Sequence, residues 1–466
     1  MNWTAENVFA ATGGVAHPGM RTDLQFTSVT TDSRYVPPGA LFFALHGPHH
    51  DGHDHVAEAL RAGARAAVVD RTLNDPDLTA LIRVDDTLTA LGDLAAWTRA
   101  QHAVRVVAIT GSNGKTTTKD LIAAICAAAP LVPPRTRVLK TEGNLNNLIG
   151  LPLTLLQLQG DEAVAVLEMG MNRFGEIARL TAIARPDYAV ITNIGPAHLE
   201  GVGGSVAGVA QAKGELFAGL SPEAGIAVNT DDEWIGRLAA AFHGRRVTYG
   251  QRGEVQAHHL VDLGSDGTAF ALAIGARTAK VRLRLIGPHN VMNALAAAAV
   301  AHAMGLDLDV IVRGLERCAG AAMRLQAHHL PNGVTLINDA YNANPSSVEA
   351  ALVALRRSSA RLVVVLGEMR ELGDEARRAH HLVGERAAAL GVQELFVLGT
   401  QAETMAAGAR AGGMRTDAIH VCGSHAEVAA AVVARWQPGD TVLVKGSRGM
   451  KMEEVVRLLR EAGSAS

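Results

Sequence analysis

The chain has 466 residues, 48% apolar and 19% charged, and a net charge of −3. That length suits about three domains of roughly 150 residues, each with its own core, and the balanced charge argues against nucleic acid as the main partner. Cys126, Cys318 and Cys422 show no C-x-x-C spacing, which argues against a disulfide framework or a structural zinc site and favours a reducing compartment. The N-terminus carries Glu6 and no basic-then-apolar leader. Apolar runs such as Leu121–Val132 fall short of the ~20 residues that span a bilayer, so a soluble, cytoplasmic protein without membrane insertion is expected.

In chain order, residues 1–102 hold short strand-like runs at Ala40–Leu45 and Ala66–Val69 among Gly, Pro and His turns. From Val104 an α/β pattern begins, with strands expected at Val104–Ile109, Ala163–Leu167 and Ala189–Thr192, each followed by a Gly- or Asn-rich turn. Near Arg324 a third block begins. Its expected strands Leu362–Leu366, Glu394–Leu398 and Thr441–Val444 alternate with helical stretches Ser346–Arg357, Ala376–Leu390 and Glu427–Trp436. Such alternation predicts a second α/β unit with a parallel sheet.

The segment Val106–Asp120 carries the strongest chemistry. A β-branched run ends in Gly111-Ser112-Asn113-Gly114-Lys115-Thr116-Thr117 and passes directly into a helix-compatible stretch. Glycines let backbone N–H groups approach phosphates, the new helix's N-terminus attracts an anion, Lys115 adds a cation, and the Thr116 hydroxyl can hold Mg²⁺. Ile109 stands where the longer G-x-x-x-x-G-K-[ST] loop has its first glycine.

Other residues are ambiguous singly. Glu168 closes an apolar run and reads either as a Mg²⁺ ligand or as a solvated strand end. His198 reads as a ligand or a structural histidine, and Lys213 as a site residue or a surface lysine. Asn229, Asp231, Asn290 and Asn293 suit turns and caps as well as a ligand. His49, His50, His53 and His55 form either a metal cluster or a His-rich turn.

Their joint order is specific. Gly111–Thr116, Glu168-Met169-Gly170, Asn193-Ile194-Gly195-Pro196-Ala197-His198, Lys213-Gly214-Glu215 and Gly287-Pro288-His289-Asn290-Val291-Met292-Asn293 together resemble the Mur ligase superfamily, whose members form amide bonds by activating a carboxylate with ATP. Gly143–Pro152, Asn338–Pro345, Leu366–Gly373, Lys445–Arg448, Thr31-Asp32-Ser33-Arg34 and Asp51-Gly52-His53 resemble the branch that adds D-alanyl-D-alanine to a UDP-N-acetylmuramoyl-tripeptide. Two features depart from related patterns. Ala322-Met323-Arg324 replaces the usual Gly-Arg, and the Asp-Asn-Pro-Arg motif of the diamino-acid-adding branch is absent.

The resemblance implies an α/β fold of three domains: a UDP-binding α/β domain over 1–102, a central P-loop ATPase-type domain with a mainly parallel sheet over 103–323, and a C-terminal Rossmann-like α/β domain over 324–466. It implies ATP and two Mg²⁺ as cofactors. Lys115 would serve the phosphates and Thr116 with Glu168 the first metal, while His198 and a carbamate on Lys213 would hold the second. Asn290, Asn293, Asn229 and Asp231 would surround adenine, Asp339 the ribose, and Arg324 the phosphates. Thr31, Asp32, Ser33, Arg34 and His53 would take the UDP end of the substrate, with Asn144, Asn146, Asn147, Tyr341, Asn342 and Asn344 along the rest. A monomer whose third block closes over ATP is expected. The rivals are a diamino-acid-adding or folate-polyglutamating ligase and, from another class, a P-loop kinase or GTPase. For the last the chain lacks an Asn-Lys-x-Asp base reader.

Overall fold

The computed structural model describes residues 2–47, 50–75, 77–197, 199–358 and 361–464, with backbone alone at 357 and 358. His49 and His198 therefore lie outside the described residues. Three α/β units follow one another along the chain, each built on its own sheet.

The first unit's five strands stand in the order Val15–Ala16, Leu81–Arg83, Ala66–Val69, Ala40–Phe43 and Ser28–Thr30, parallel except at the Val15–Ala16 edge. Of the three inner strands, Ala66–Val69 and Ala40–Phe43 are wholly buried, which is why they read as continuous apolar runs. Thr31–Arg34 and the turn bearing His53 follow the adjacent parallel strands Ser28–Thr30 and Ala40–Phe43, at their carboxyl ends.

The central nine-stranded sheet runs Arg277–Leu283, Thr268–Ile274, Val255–Asp262, Arg245–Tyr249, Gly225–Asn229, Tyr188–Ile191, Arg105–Thr110, Glu162–Glu168, Arg137–Lys140. Pairing is parallel from Arg137–Lys140 as far as Val255–Asp262 and antiparallel in the two hairpin pairs beyond. Strand Arg105–Thr110 shows how the sequence sets this. Val106 and Ala108 enter one core while Val107 and Ile109 enter the core on the other face. Helix Lys115–Ala128 packs Leu121, Ile122 and Ile125 on one face, and helix Glu176–Ala184 packs Ile177 and Leu180 on the other. Each such buried aliphatic contributes about 1.5–3 kcal/mol.

The chain leaves Arg105–Thr110 on one side, returns through Glu162–Glu168, and crosses to Tyr188–Ile191 on the other. Strand order thus reverses at Arg105–Thr110, and a crevice opens at its carboxyl end. The phosphate loop sits there.

The third unit's sheet runs Gln326–His329, Thr335–Asp339, Asp440–Lys445, Arg361–Gly367, Glu394–Leu398, Ile419–Cys422, with only the first pair antiparallel. The expected strand Glu394–Leu398 coincides with the observed one, and the expected helix ends are off by at most three residues. Among the described residues no helix is long and apolar enough to cross a membrane.

Candidate active site

Two glycines fix the shape of the phosphate loop. Gly111 lies at φ +148°, and a Cβ there would stand 1.9 Å from Thr192 Oγ1. Gly114 caps helix Lys115–Ala128 at φ +80°, and a Cβ there would stand 2.2 Å from Asn293 Oδ1. Only glycine fits both the conformation and the space. The turn after Tyr188–Ile191 clamps the loop: Ser112 N donates to Asn193 O at 2.9 Å, Asn113 N to Asn193 Oδ1 at 3.0 Å, and Thr192 Oγ1 to Asn113 O at 2.5 Å. Asn193 was legible as part of a segment, but its grip on the loop was not.

Glu168, 3% exposed, ends its strand beside the loop. Its Oε2 accepts from Thr116 Oγ1 at 2.9 Å and its Oε1 from Asn146 Nδ2 at 2.8 Å, so the carboxylate is oriented rather than solvated. Asn147 instead caps the following turn, accepting from Ile149 N and Gly150 N, while Asn144 is exposed. Thr117 lies with Gly114 and Thr116 on the wall of a cavity described below.

Lys115 Nζ donates to Gly111 O at 2.8 Å, folded back on its own loop. Burial pushes its pKa down, Glu168 counteracts this, and Arg324 adds to it. Lys213 is 1% exposed, in helix Val206–Ala218. Burial, reinforced by the charge on Lys115 and opposed by Glu168, holds its pKa well below the lysine norm. The surface reading of Lys213 is thereby replaced: the side chain is buried within the field of both site residues.

The third unit rests on this loop. Asn344 Nδ2 donates to Asn113 Oδ1 at 2.9 Å, Arg324 Nη2 reaches Thr116 Oγ1 at 3.4 Å, and Tyr341 Oη reaches Gly143 O at 3.4 Å. The Arg324 guanidinium stacks 4.2 Å over the Tyr341 ring, and its buried Nε has no partner among the described residues. Buried Lys445 donates to Asp339 Oδ2 at 2.6 Å and to Asn342 O at 3.0 Å. Lys445 had no assigned role in the sequence; its signal was its place at the carboxyl end of an expected parallel strand.

Gly114, Thr116, Asn290, Asn293, Arg324 and Asp339 meet around a cavity of about 220 Å³ between the central and third units. Asn290 and Asn293 are tied to each other by Asn293 Nδ2 to Asn290 Oδ1 at 2.9 Å. Asn229 and Asp231 lie off this wall: Asn229 Nδ2 donates to Thr192 O, and the Asp231 carboxylate accepts from Gln251 N. His289 lines the cavity, and burial of its ring, outweighing Asp339, brings its pKa down to about 4.

That depressed value gives a stability prediction. Above pH 6.5 the imidazole is neutral whether folded or unfolded; as pH falls toward 4 only the unfolded chain gains the proton, so stability is lost. Between pH 7 and pH 5 the wild type should lose about 2 kcal/mol through this group, and His289→Gln should not. Urea melts of both proteins at the two pH values check this, and equal losses would contradict it.

In the first unit, Arg34 pairs with Asp32 at 2.7 Å on the surface, beside Thr31 and Ser33. His53 is buried: its Nδ1 lies 2.7 Å from Asp51 Oδ1 and its Nε2 accepts from Asp70 N at 3.2 Å. Both nitrogens are engaged. Of the other histidines read as either a metal cluster or a His-rich turn, His55 turns to Glu58 and His50 is exposed. His46 stacks on His53 instead, 4.7 Å away.

The chain belongs to the Mur ligase family. The family's catalytic domain matches residues 25–99, its middle domain residues 109–301 and its glutamate ligase domain residues 323–448. The chain is 41% identical over 453 residues, 95% of each chain, to the UDP-N-acetylmuramoyl-tripeptide–D-alanyl-D-alanine ligase of Escherichia coli strain K12. Its fold superposes on a crystal structure of MurF from Acinetobacter baumannii with a TM-score of 0.90 at 34% identity, covering 99% of each chain. It also superposes on the MurF ligase of Thermotoga maritima in complex with ADP, with a TM-score of 0.82 at 28% identity over 94% of this chain and 97% of that one.

Proposed function

We propose that this chain is an ATP-dependent ligase that joins D-alanyl-D-alanine to UDP-N-acetylmuramoyl-tripeptide, releasing ADP and phosphate and supplying the pentapeptide precursor of peptidoglycan in the cytoplasm. The carrying observation is the convergence of Lys115, Thr116, Glu168 and Lys213 at one strand end, with Arg324, Asp339 and Lys445 brought over it from the third unit. The name shared by relatives over the whole chain supports the choice of substrates, and the ADP complex of one of them supports ATP. The division into 1–102, 103–323 and 324–466, and action as a monomer, belong to the same reading.

A carboxylate does not acylate amines at neutral pH because oxide is a poor leaving group. Attack of a carboxylate oxygen on the γ-phosphorus of ATP expels ADP and gives an acyl phosphate. The dipeptide's amine then attacks the acyl carbon, the C–O bond to phosphate breaks, and the amine loses a proton. Both steps crowd negative oxygens, so positioning and cations dominate the barrier. Four buried or half-buried bases, Lys115, Lys213, Arg324 and Lys445, face two carboxylates, Glu168 and Asp339. That surplus suits a polyanion.

Backbone N–H groups of 114–117, at the start of helix Lys115–Ala128, cradle the phosphates, and Lys115 swings from Gly111 O onto them. Asn290 and Asn293 flank the cavity that takes the nucleoside. Asp339, steadied by Lys445 and by Leu325 N, keeps lone pairs for ribose hydroxyls. The Thr116 hydroxyl and Glu168 carboxylate are hard oxygen donors already 2.9 Å apart, a set that fits Mg²⁺. Bound there, Mg²⁺ neutralises charge on the phosphates.

Lys213 fits a carbamate for a physical reason. Only a neutral amine adds CO₂, and burial beside Lys115 favours the neutral form. The product is an anionic oxygen donor suited to a second Mg²⁺, with His198 as its partner by resemblance. The third unit excludes water that would hydrolyse the acyl phosphate.

Phosphate release from ATP with UDP-N-acetylmuramoyl-tripeptide, adding D-Ala-D-Ala, single amino acids or folate in turn, tests the reading. Release with the dipeptide alone is expected. Release with only a single amino acid would transfer the chain to another amino-acid-adding ligase.

A further inference from the structure

The edge of the central sheet changes its hydrogen bonding at the strand end that carries Glu168. Strand Arg137–Lys140 runs parallel to Glu162–Glu168 with Lys140 opposite Val166, and Thr141 N extends the ladder onto Val166 O at 3.1 Å. In a regular parallel ladder the next rung would run from Glu168 N to Thr141 O. Glu168 N donates instead to the Thr141 hydroxyl at 3.0 Å, and the Thr141 carbonyl accepts from Lys119 Nζ at 2.8 Å. All three residues are buried.

We infer that Lys119 and Thr141 are positioning residues for the Glu168 carboxylate. Together they replace the last rung of the ladder and fix the strand end from which that carboxylate meets the Thr116 hydroxyl. The inference rests on the reading above in which Thr116 and Glu168 hold Mg²⁺.

The exchange of partners lets the chain leave the sheet at Thr141 with no backbone group orphaned. A buried N–H or C=O left unpaired is costly, so a strand that diverges here needs an acceptor for Glu168 N and a donor for Thr141 O. Thr141 and Lys119 supply one each. The chain then turns across the strand end, where Asn146 Nδ2 donates to Glu168 Oε1 at 2.8 Å and Asn146 O accepts from Gly170 N at 2.8 Å. Thr116 and Lys119 are three residues apart on helix Lys115–Ala128, which places them on one face. The helix therefore grips the strand end twice, through Thr116 Oγ1 on Glu168 Oε2 at 2.9 Å and through Lys119 on Thr141. An ammonium is a poor choice for filling space here. The carboxylate oxygen nearest to it, Asp120 Oδ1 at 3.4 Å, is held more closely by Lys140 at 2.9 Å. A methionine of the same length would fill the site without burying a charge, so the donor is what the site uses.

Titration calorimetry of ADP with Mg²⁺ and with EDTA, on wild type, Thr141→Val, Thr141→Ser and Lys119→Met, tests this. Mg²⁺ is expected to tighten ADP on wild type. Thr141→Val, which keeps the shape and loses the acceptor, and Lys119→Met should each lose most of that gain while their affinity in EDTA stays within about twofold of wild type. Both should also raise the Mg²⁺ concentration that gives half-maximal phosphate release roughly 10-fold or more. Thr141→Ser, which keeps the hydroxyl, should bind ADP as wild type does. Variants on which Mg²⁺ tightens ADP as it does on wild type would overturn the inference. So would equal weakening with and without Mg²⁺, or a Thr141→Ser protein no better than Thr141→Val, either of which marks a purely structural role. A wild type whose ADP affinity ignores Mg²⁺ would overturn the metal reading itself.

Discussion

A Lys115→Ala enzyme is expected to keep its fold and lose activity by about a thousandfold in kcat/KM, or ~4 kcal/mol of transition-state stabilisation. Lys115 opens helix Lys115–Ala128, where alanine is the best helix former, and among the described residues its ammonium bonds only its own loop, at Gly111 O and Ser112 O. Removing it also relieves a buried charge already disfavoured by its surroundings. Thermal melting should therefore hold steady or rise while turnover collapses. A parallel loss of both would show that Lys115 supports the loop rather than the phosphates.

The second large effect is expected at Lys213. Lys213→Ala should cut turnover by at least about a hundredfold, and a short-chain carboxylic acid added to the assay should restore part of it. The substitution leaves room for a small carboxylate in place of the modified side chain, beside Lys115, whose cation would attract it. Lys213→Arg should be inactive and beyond rescue, because a guanidinium neither takes up CO₂ nor vacates the space. Wild-type activity in Lys213→Ala, or an inactive variant that no carboxylate revives, would remove the carbamate from the mechanism.

The parts of the fold readable from sequence are those where burial on both faces writes a continuous apolar run. Arg105–Thr110, Tyr188–Ile191 and Glu394–Leu398 are of that kind. The hairpin strands Thr268–Ile274 and Arg277–Leu283 were missed: each alternates buried with more exposed positions, and Arg277, Lys280 and Arg282 break the apolar signal. Val255–Asp262 is largely solvent-facing and carries still less of one.

In the site, the loop Gly111–Thr117 and Glu168 announce themselves because motif and strand end are contiguous in sequence. The clamps on them are not contiguous. Asn146 orients Glu168 across 22 residues, Asn193 holds Asn113 across 80, and Asn344 reaches Asn113 across 231. Such pairings are properties of the folded chain. Asn344, expected along the substrate, stands at the phosphate loop, and Asp231, expected near adenine, closes a turn at Gln251.

Oxygen transfer tests the central claim most directly. UDP-N-acetylmuramoyl-tripeptide labelled with ¹⁸O in its terminal carboxyl group would be turned over with ATP and D-Ala-D-Ala, and the released phosphate analysed by mass spectrometry. If this chain activates the carboxylate as an acyl phosphate, the bridging carboxyl oxygen leaves with phosphate, and each turnover moves one labelled oxygen into it. Unlabelled phosphate accompanying pentapeptide would contradict the account.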